Sequence, residues 1–153
     1  MKLLDRAPYS YRQDPSIPDF DDRGPVAFMD GECALCTRGA RTICSLDRRG
    51  EFRICPTASP LGSSILAHYG LDPADPDSWL YLEEGRAYTS MEAIIRVGKR
   101  LGGWGHLTRS LGLFPRLVQD WLYRRIARNR YAILGRTQMC AIPDPDFRRR
   151  LIE

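Results

Sequence analysis

Pro25-Val26-Ala27-Phe28-Met29-Asp30-Gly31-Glu32-Cys33-Ala34-Leu35-Cys36 carries a short apolar run straight into a Cys-x-x-Cys pair. The run reads as a buried strand, and the residues after Cys36 are helix-compatible. The two sulfurs are therefore placed where a strand hands over to a helix N-terminus. Free backbone N–H groups and the positive end of the helix dipole gather there, and both stabilise a thiolate. Side chains three apart share one helix face, so the sulfurs can close a small disulfide ring. An attacking thiolate and a resolving thiol together make a dithiol–disulfide exchange site. Two other readings stand beside this one. A zinc site would want four ligands and usually a second close pair, whereas Cys44, Cys55, Cys140, His68 and His106 are each isolated in the sequence. A structural pair is the other reading, since cysteine packs as a small apolar residue.

Downstream of the pair, residues 33–49 are predicted as the first helix, with Cys36, Ala40, Ile43, Cys44 and Asp47 along one face. That face turns Cys44 inward, toward a packing role. Gly50 ends the helix, Glu51-Phe52-Arg53-Ile54-Cys55 alternates as a second strand, and Pro56 is expected to stop it. Residues 61–69 form a second helix closed by Gly70. After a turn-rich loop, Ser78-Trp79-Leu80-Tyr81-Leu82 reads as a strand. Glu83-Glu84-Gly85 is its hairpin turn and Arg86-Ala87-Tyr88-Thr89 its partner. Ser90 is expected to cap a third helix carrying Ala93, Ile94, Val97 and Leu101 on one side, closed by Gly102-Gly103. The order strand–helix–strand–helix–strand–strand–helix is that of the thioredoxin-like fold, an α/β class.

The flanks differ. Residues 1–24 hold Pro8, Pro15, Pro18 and an aspartate cluster, and read as an irregular lead laid over the surface. Residues 104–113 form a short helical segment, and Pro115 is placed at the first position of another helix. Leu117, Val118, Trp121, Leu122 and Ile126 are the apolar stripe of that helix, and Pro143 and Pro145 mark a final loop. The expected organisation is a lead over 1–24, a thioredoxin-like core over 25–103 and a helical extension over 104–153 packed on the core, one domain in all.

The chain has 153 residues, enough to bury a core without disulfide staples. Residues 1–85 carry 9 basic and 14 acidic side chains, and residues 86–153 carry 14 and 5, which gives the net +4. Of the 23 cations, 21 are arginine, a residue suited to phosphate. Their interleaving with Trp104, Phe114, Trp121 and Tyr123 at helical spacing reads instead as the solvated side of packed helices, so nucleic acid is not the expected partner. Asp5 and Arg6 interrupt the apolar start, and no run is long enough to span a bilayer. With an odd count of five cysteines, the expected setting is the reducing cytoplasm.

Asp30-x-x-Cys33-x-x-Cys36 after a strand, Ser78-Trp79 at a later strand, and Ala127-Arg128-Asn129-Arg130-Tyr131 with Gly135 and Cys140 together resemble the DCC family of thiol–disulfide oxidoreductases. The resemblance runs from about residue 26 to residue 143. It implies a thioredoxin-like fold, protein-disulfide oxidoreductase activity and a redox role for Cys33 and Cys36. It names no substrate beyond a protein or small-molecule disulfide, no electron donor and no cofactor. The Thr-Pro dipeptide that faces the cysteines in thioredoxins is absent, so Ser78 is the residue expected to face the pair.

Cys33, nearer the helix start, is expected to be the more exposed sulfur and the attacking thiolate, with Cys36 resolving the mixed disulfide. Asp30 is placed beside them, either raising a thiol pKa by its charge or accepting the Cys36 proton; as a turn residue it would instead bond the Gly31-Glu32 backbone. Gly31 is expected to supply an unusual backbone angle and, with Ser78, to line the substrate side. The site would tend toward a reductant. Asn129 or Arg130 would fix the C-terminal segment to the core through carbonyls or carboxylates, Cys140 is a candidate third thiol, and His68 has no assigned role. Two further hypotheses are a non-catalytic binding module whose basic tail holds an acidic partner, and a metal-binding protein using the cysteine pair.

Overall fold

The central strand β1 (Val26–Met29) is buried along its whole length, because it lies between neighbours on both sides. In the computed structural model, which describes residues 3–74 and 79–152, β1 runs parallel to β2 (Arg53–Pro56) and antiparallel to β3 (Leu80–Glu83). Strand β4 (Arg86–Tyr88) pairs antiparallel with β3, giving the order β2-β1-β3-β4. A parallel pair needs a crossover connection, and α1 (Ala34–Leu46) supplies it between β1 and β2. Helices α2 (Pro60–His68) and α3 (Ser90–Leu101) follow β2 and β4.

Period-two alternation sends strand residues to two apolar clusters. Ala27, Met29, Ile54 and Tyr81 join Ala40, Ile43 and Cys44 of α1 with Ala93 and Val97 of α3. Val26, Phe28, Cys55, Leu80 and Leu82 meet Leu61, Ile65 and Leu66 of α2. This is the thioredoxin-like α/β arrangement. The β3–β4 hairpin turns on Glu84 and Gly85, both in the left-handed region (φ 50° and 74°), as a tight two-residue turn requires.

Residues of the N-terminal segment bond to the core. Leu4 N–H donates to the Tyr69 carbonyl (3.0 Å) and Tyr9 N–H to that of Gly85 (2.9 Å). His68 bridges this segment to α2, with Nδ1 2.8 Å from Asp14 Oδ2 and Nε2 3.0 Å from Ser10 Oγ.

Several local expectations are corrected. Pro56 is the last residue of β2 rather than its stop, paired with Met29 at the end of a strand, where a missing donor is tolerated. Thr89, not Ser90, occupies the N-cap of α3, and its hydroxyl donates to the Trp79 carbonyl (2.5 Å) instead of capping the helix; Ser90 sits at φ 57°. Residues Gly103–Leu113 form a 3-10 helix, and Pro115 is the N-cap, not the first residue, of α4 (Arg116–Leu134). The final loop contains a helix, α5 (Pro145–Arg150), with the Asp144 carboxylate accepting from the N–H groups of Asp146 and Phe147.

The largest correction concerns α4. Its apolar stripe, Leu117, Val118, Trp121, Leu122 and Ile126, is exposed, as are Trp104 and Phe114. Ala127 and Arg130 are instead the buried residues of α4. The helix is rotated so that Arg130 reaches Asp30, and that contact outranks the hydrophobic pattern.

Beyond α5 the tail returns to the sheet. Leu151 pairs in parallel with Ile54, and Ile152 N–H donates to the Ile54 carbonyl at 2.8 Å, covering the β2 edge. Arg150 Nη1 lies 2.5 Å from Asp47 Oδ2 in a buried ion pair, and the same carboxylate oxygen accepts from Phe52 N–H at 2.9 Å.

Candidate active site

The strand-to-helix junction places Cys33 at the N-cap of α1, in extended conformation (φ −89°, ψ 120°). Its Sγ accepts the Cys36 backbone N–H at 3.4 Å, so a donor at the positive end of the helix is aimed at that sulfur. Cys36 lies one turn on, within reach. The exposure order is the reverse of expectation: Cys33 is fully buried (0%), whereas Cys36 is partly exposed. The reason is a returning segment after α4, invisible to local reading. Ala34 N–H donates to the Gly135 carbonyl (3.3 Å), Thr137 N–H to Glu32 (2.9 Å) and Met139 N–H to Gly31 (2.7 Å), while Cys33 pairs with Arg136 as a β-bridge. This strap runs beside Cys33.

Asp30 is a hub. Its Oδ1 accepts the Glu32 N–H (2.8 Å), the turn bond anticipated for it. Its Oδ2 accepts from Arg130 Nη2 at 2.5 Å and from the Tyr131 hydroxyl, and Arg130 Nη2 also donates to that hydroxyl oxygen at 3.1 Å. Arg130 thus fixes the C-terminal segment through a carboxylate, whereas the Asn129 amide donates locally to the Arg125 carbonyl (2.7 Å). Burial, then the hydrogen bond to Asp30, push the Tyr131 phenol up, so it stays a donor. Burial, then the adjacent Cys33 sulfur, push the Cys36 thiol up to about 12; Arg130 pulls it down and Asp30 raises it. The two ends of one ion pair therefore act on Cys36 with opposite signs.

The remaining candidates fall as follows. Gly31 is not in the left-handed region, so it supplies no unusual angle; its role is the carbonyl that receives Met139. Ser78 lies outside the described residues. Cys44 lies on the buried face of α1, in the core cluster, and burial first of all raises its thiol to about 11. Cys140 is exposed in a short 3-10 turn, Met139–Ala141. Tyr131 as a direct Asp30 partner, and the backbone of 135–139 as the strap, were not anticipated. The Arg-Tyr pair in the signature was the available signal for the first; nothing local signals the second.

A thioredoxin-like sheet with paired sulfurs at the first helix N-terminus defines a thiol–disulfide oxidoreductase class. The chain belongs to the DCC1-like thiol-disulfide oxidoreductase family, whose model matches residues 27–136. It is 32% identical over 127 residues to the uncharacterized protein YuxK of Bacillus subtilis (strain 168), covering 83% of this chain and 93% of that protein. It is also 32% identical over 123 residues to a chloroplastic DCC family protein of Arabidopsis thaliana, covering 80% of this chain and 72% of that one. No solved structure matches the chain.

Proposed function

We propose that this protein reduces disulfides by dithiol exchange at Cys33 and Cys36 in a reducing compartment such as the cytoplasm. The observation that carries the reading is the Cys36 N–H directed at Cys33 Sγ, one turn from a second thiol. Charge rather than access assigns the roles. A thiol held near 12 is almost entirely protonated at neutral pH, so Cys36 resolves and Cys33 attacks, reached when the 135–139 strap lifts. The Cys33 thiolate attacks one substrate sulfur and expels the other as a thiolate, which takes up a proton. Cys36 then loses its proton, attacks the Cys33 sulfur of the mixed disulfide and expels the second substrate thiol. The substrate gains two electrons and two protons, and the protein retains a Cys33–Cys36 disulfide. A raised Cys36 thiol gives no stabilised thiolate on that sulfur, which favours a reductant over an oxidant. In this reading residues 25–103 carry the redox pair and the extension completes the site through Arg130, Tyr131 and the strap.

The test is differential alkylation with mass analysis after mild oxidation, alongside reductase assays on a model disulfide. A Cys33–Cys36 bridge is expected, with Cys33→Ser inactive and Cys36→Ser accumulating a mixed disulfide on Cys33. A dominant bridge through Cys44, Cys55 or Cys140 would overturn the reading. Stoichiometric metal on the pair in protein purified without chelator would favour a metal site instead.

A further inference from the structure

Large apolar side chains stand open on the C-terminal third of the chain. Leu113 is 86% exposed, Leu117 82%, Trp104 80% and Trp121 62%. Leu107 and Phe114 are also more than half exposed. Five of the six fall in the 3-10 helix Gly103–Leu113 and the first two turns of α4, and Phe114 lies between the two helices. So many large apolar side chains exposed within residues 104–121 mark an interaction surface. Its charge says what kind. Between Glu92 and Asp144 the chain has one carboxylate, Asp120, against ten cations. Arg109, Arg116, Arg124 and Arg125 are exposed, and Trp121 lies with Arg124 and Arg125 in a groove of about 320 Å³.

We propose that this face docks on an anionic lipid bilayer. Tryptophan, phenylalanine and leucine side chains enter the boundary between headgroups and acyl chains, where aromatic rings are favoured, and the guanidinium groups pair with lipid phosphates. A second copy fits poorly, because a two-fold interface sets the same patch against itself and would bring arginine onto arginine with only Asp120 to offset it. No helix among the described residues is long and apolar enough to cross a membrane, so the contact is with the bilayer surface. It is independent of the cysteine chemistry.

The full chain would be pelleted with vesicles of phosphatidylcholine alone, or of phosphatidylcholine with an equal part of phosphatidylglycerol, while tryptophan emission is recorded. Trp79 is buried (8%), so a blue shift reports Trp104 and Trp121. Binding about tenfold stronger to the anionic vesicles is expected, weakening with added salt. Leu113→Asp with Leu117→Asp should abolish it, and Arg124→Gln and Arg125→Gln should each weaken it about fivefold. Unchanged thermal transitions and reductase rates would show these surface variants fold; should the aspartate variant not fold, the glutamine variants decide. Wild-type protein that stays in the supernatant at low salt with unshifted emission overturns the proposal. So does a concentration-dependent dimer that Leu117→Asp dissociates while vesicles bind nothing.

Discussion

Neutralising either end of the Asp30–Arg130 pair should move the resolving step in opposite directions. Both side chains are largely buried, Arg130 5% and Asp30 16% exposed, so their charges are weakly screened. Asp30→Asn removes a charge that raises the Cys36 thiol and keeps the one that lowers it. Arg130→Met does the reverse. Burial, the first cause of the raised Cys36 thiol, persists in the mixed disulfide and keeps Cys36 mostly protonated at neutral pH, so its thiolate fraction changes about tenfold per pKa unit. A shift of about one unit is reasonable for a close charge. Nucleophilicity falls as pKa falls, with a Brønsted slope of about 0.4–0.5, which takes back about threefold and leaves a net change of about threefold. Resolution should therefore run about threefold faster in Asp30→Asn and about threefold slower in Arg130→Met. Mixing reduced protein with one equivalent of an aromatic disulfide such as Ellman's reagent releases one aromatic thiol on attack and a second on resolution, and stopped flow separates them. Both variants lose stability because each breaks a largely buried ion pair, so stability alone does not discriminate. Two rates moving the same way, or neither moving, would refute the electrostatic account. A slower second phase in Asp30→Asn would make Asp30 the proton acceptor for Cys36.

Asp47→Asn takes from the Arg150 guanidinium its buried counter-charge and leaves only the half-exposed Asp146 carboxylate at 3.2 Å, so it should destabilise by about 3 kcal/mol, lowering Tm by roughly 6–12 °C for a chain of this size; a loss of a degree or two in calorimetry would show the pair to be dispensable. Gly98→Ala would ordinarily favour a helix by about 1 kcal/mol. Here its Cβ would meet Thr108 Oγ1 and lie 2.5 Å from the Gly105 carbonyl oxygen, so denaturant titration should show a net loss of about 1–3 kcal/mol instead. The Ser16 hydroxyl, then His68, hold the Asp14 carboxyl at about 2, against 3.8 unperturbed. A depressed carboxylate stabilises above the unfolded value and loses that contribution as pH falls through the folded one. Melting curves of wild type and Asp14→Asn should accordingly differ above pH about 4 and converge toward pH about 2.

The core order is legible in the sequence because its apolar runs are short, differ in period and are punctuated by Gly50, Gly70 and Gly102, each in the left-handed region. Cys33, Cys36 and Asp30 are legible for the same reason, lying within one strand-to-helix turn. What escapes local reading is long-range. Arg130 and Tyr131 reach Asp30 from about a hundred residues away. That contact turns α4 against its own hydrophobic stripe, and the strap behind it buries the sulfur expected to be exposed. The α5 helix is a different case. Asp144-Pro145 is a good N-cap followed by proline at the first helical position, but with Pro143 before it the stretch reads as a loop.

The strap also sets a schedule for the thiols during synthesis. Its hydrogen bonds join residues 31–34 to residues 135–139, so Cys33 cannot acquire this cover until residue 139 has left the ribosome. Residues emerge at about 5–20 per second, so the segment between them leaves the β1–α1 turn unstrapped for roughly 5–20 seconds. Through that interval a nascent chain presents both sulfurs to whatever thiols and disulfides surround it. An oxidant encountered then meets a more accessible pair than it would in the finished fold.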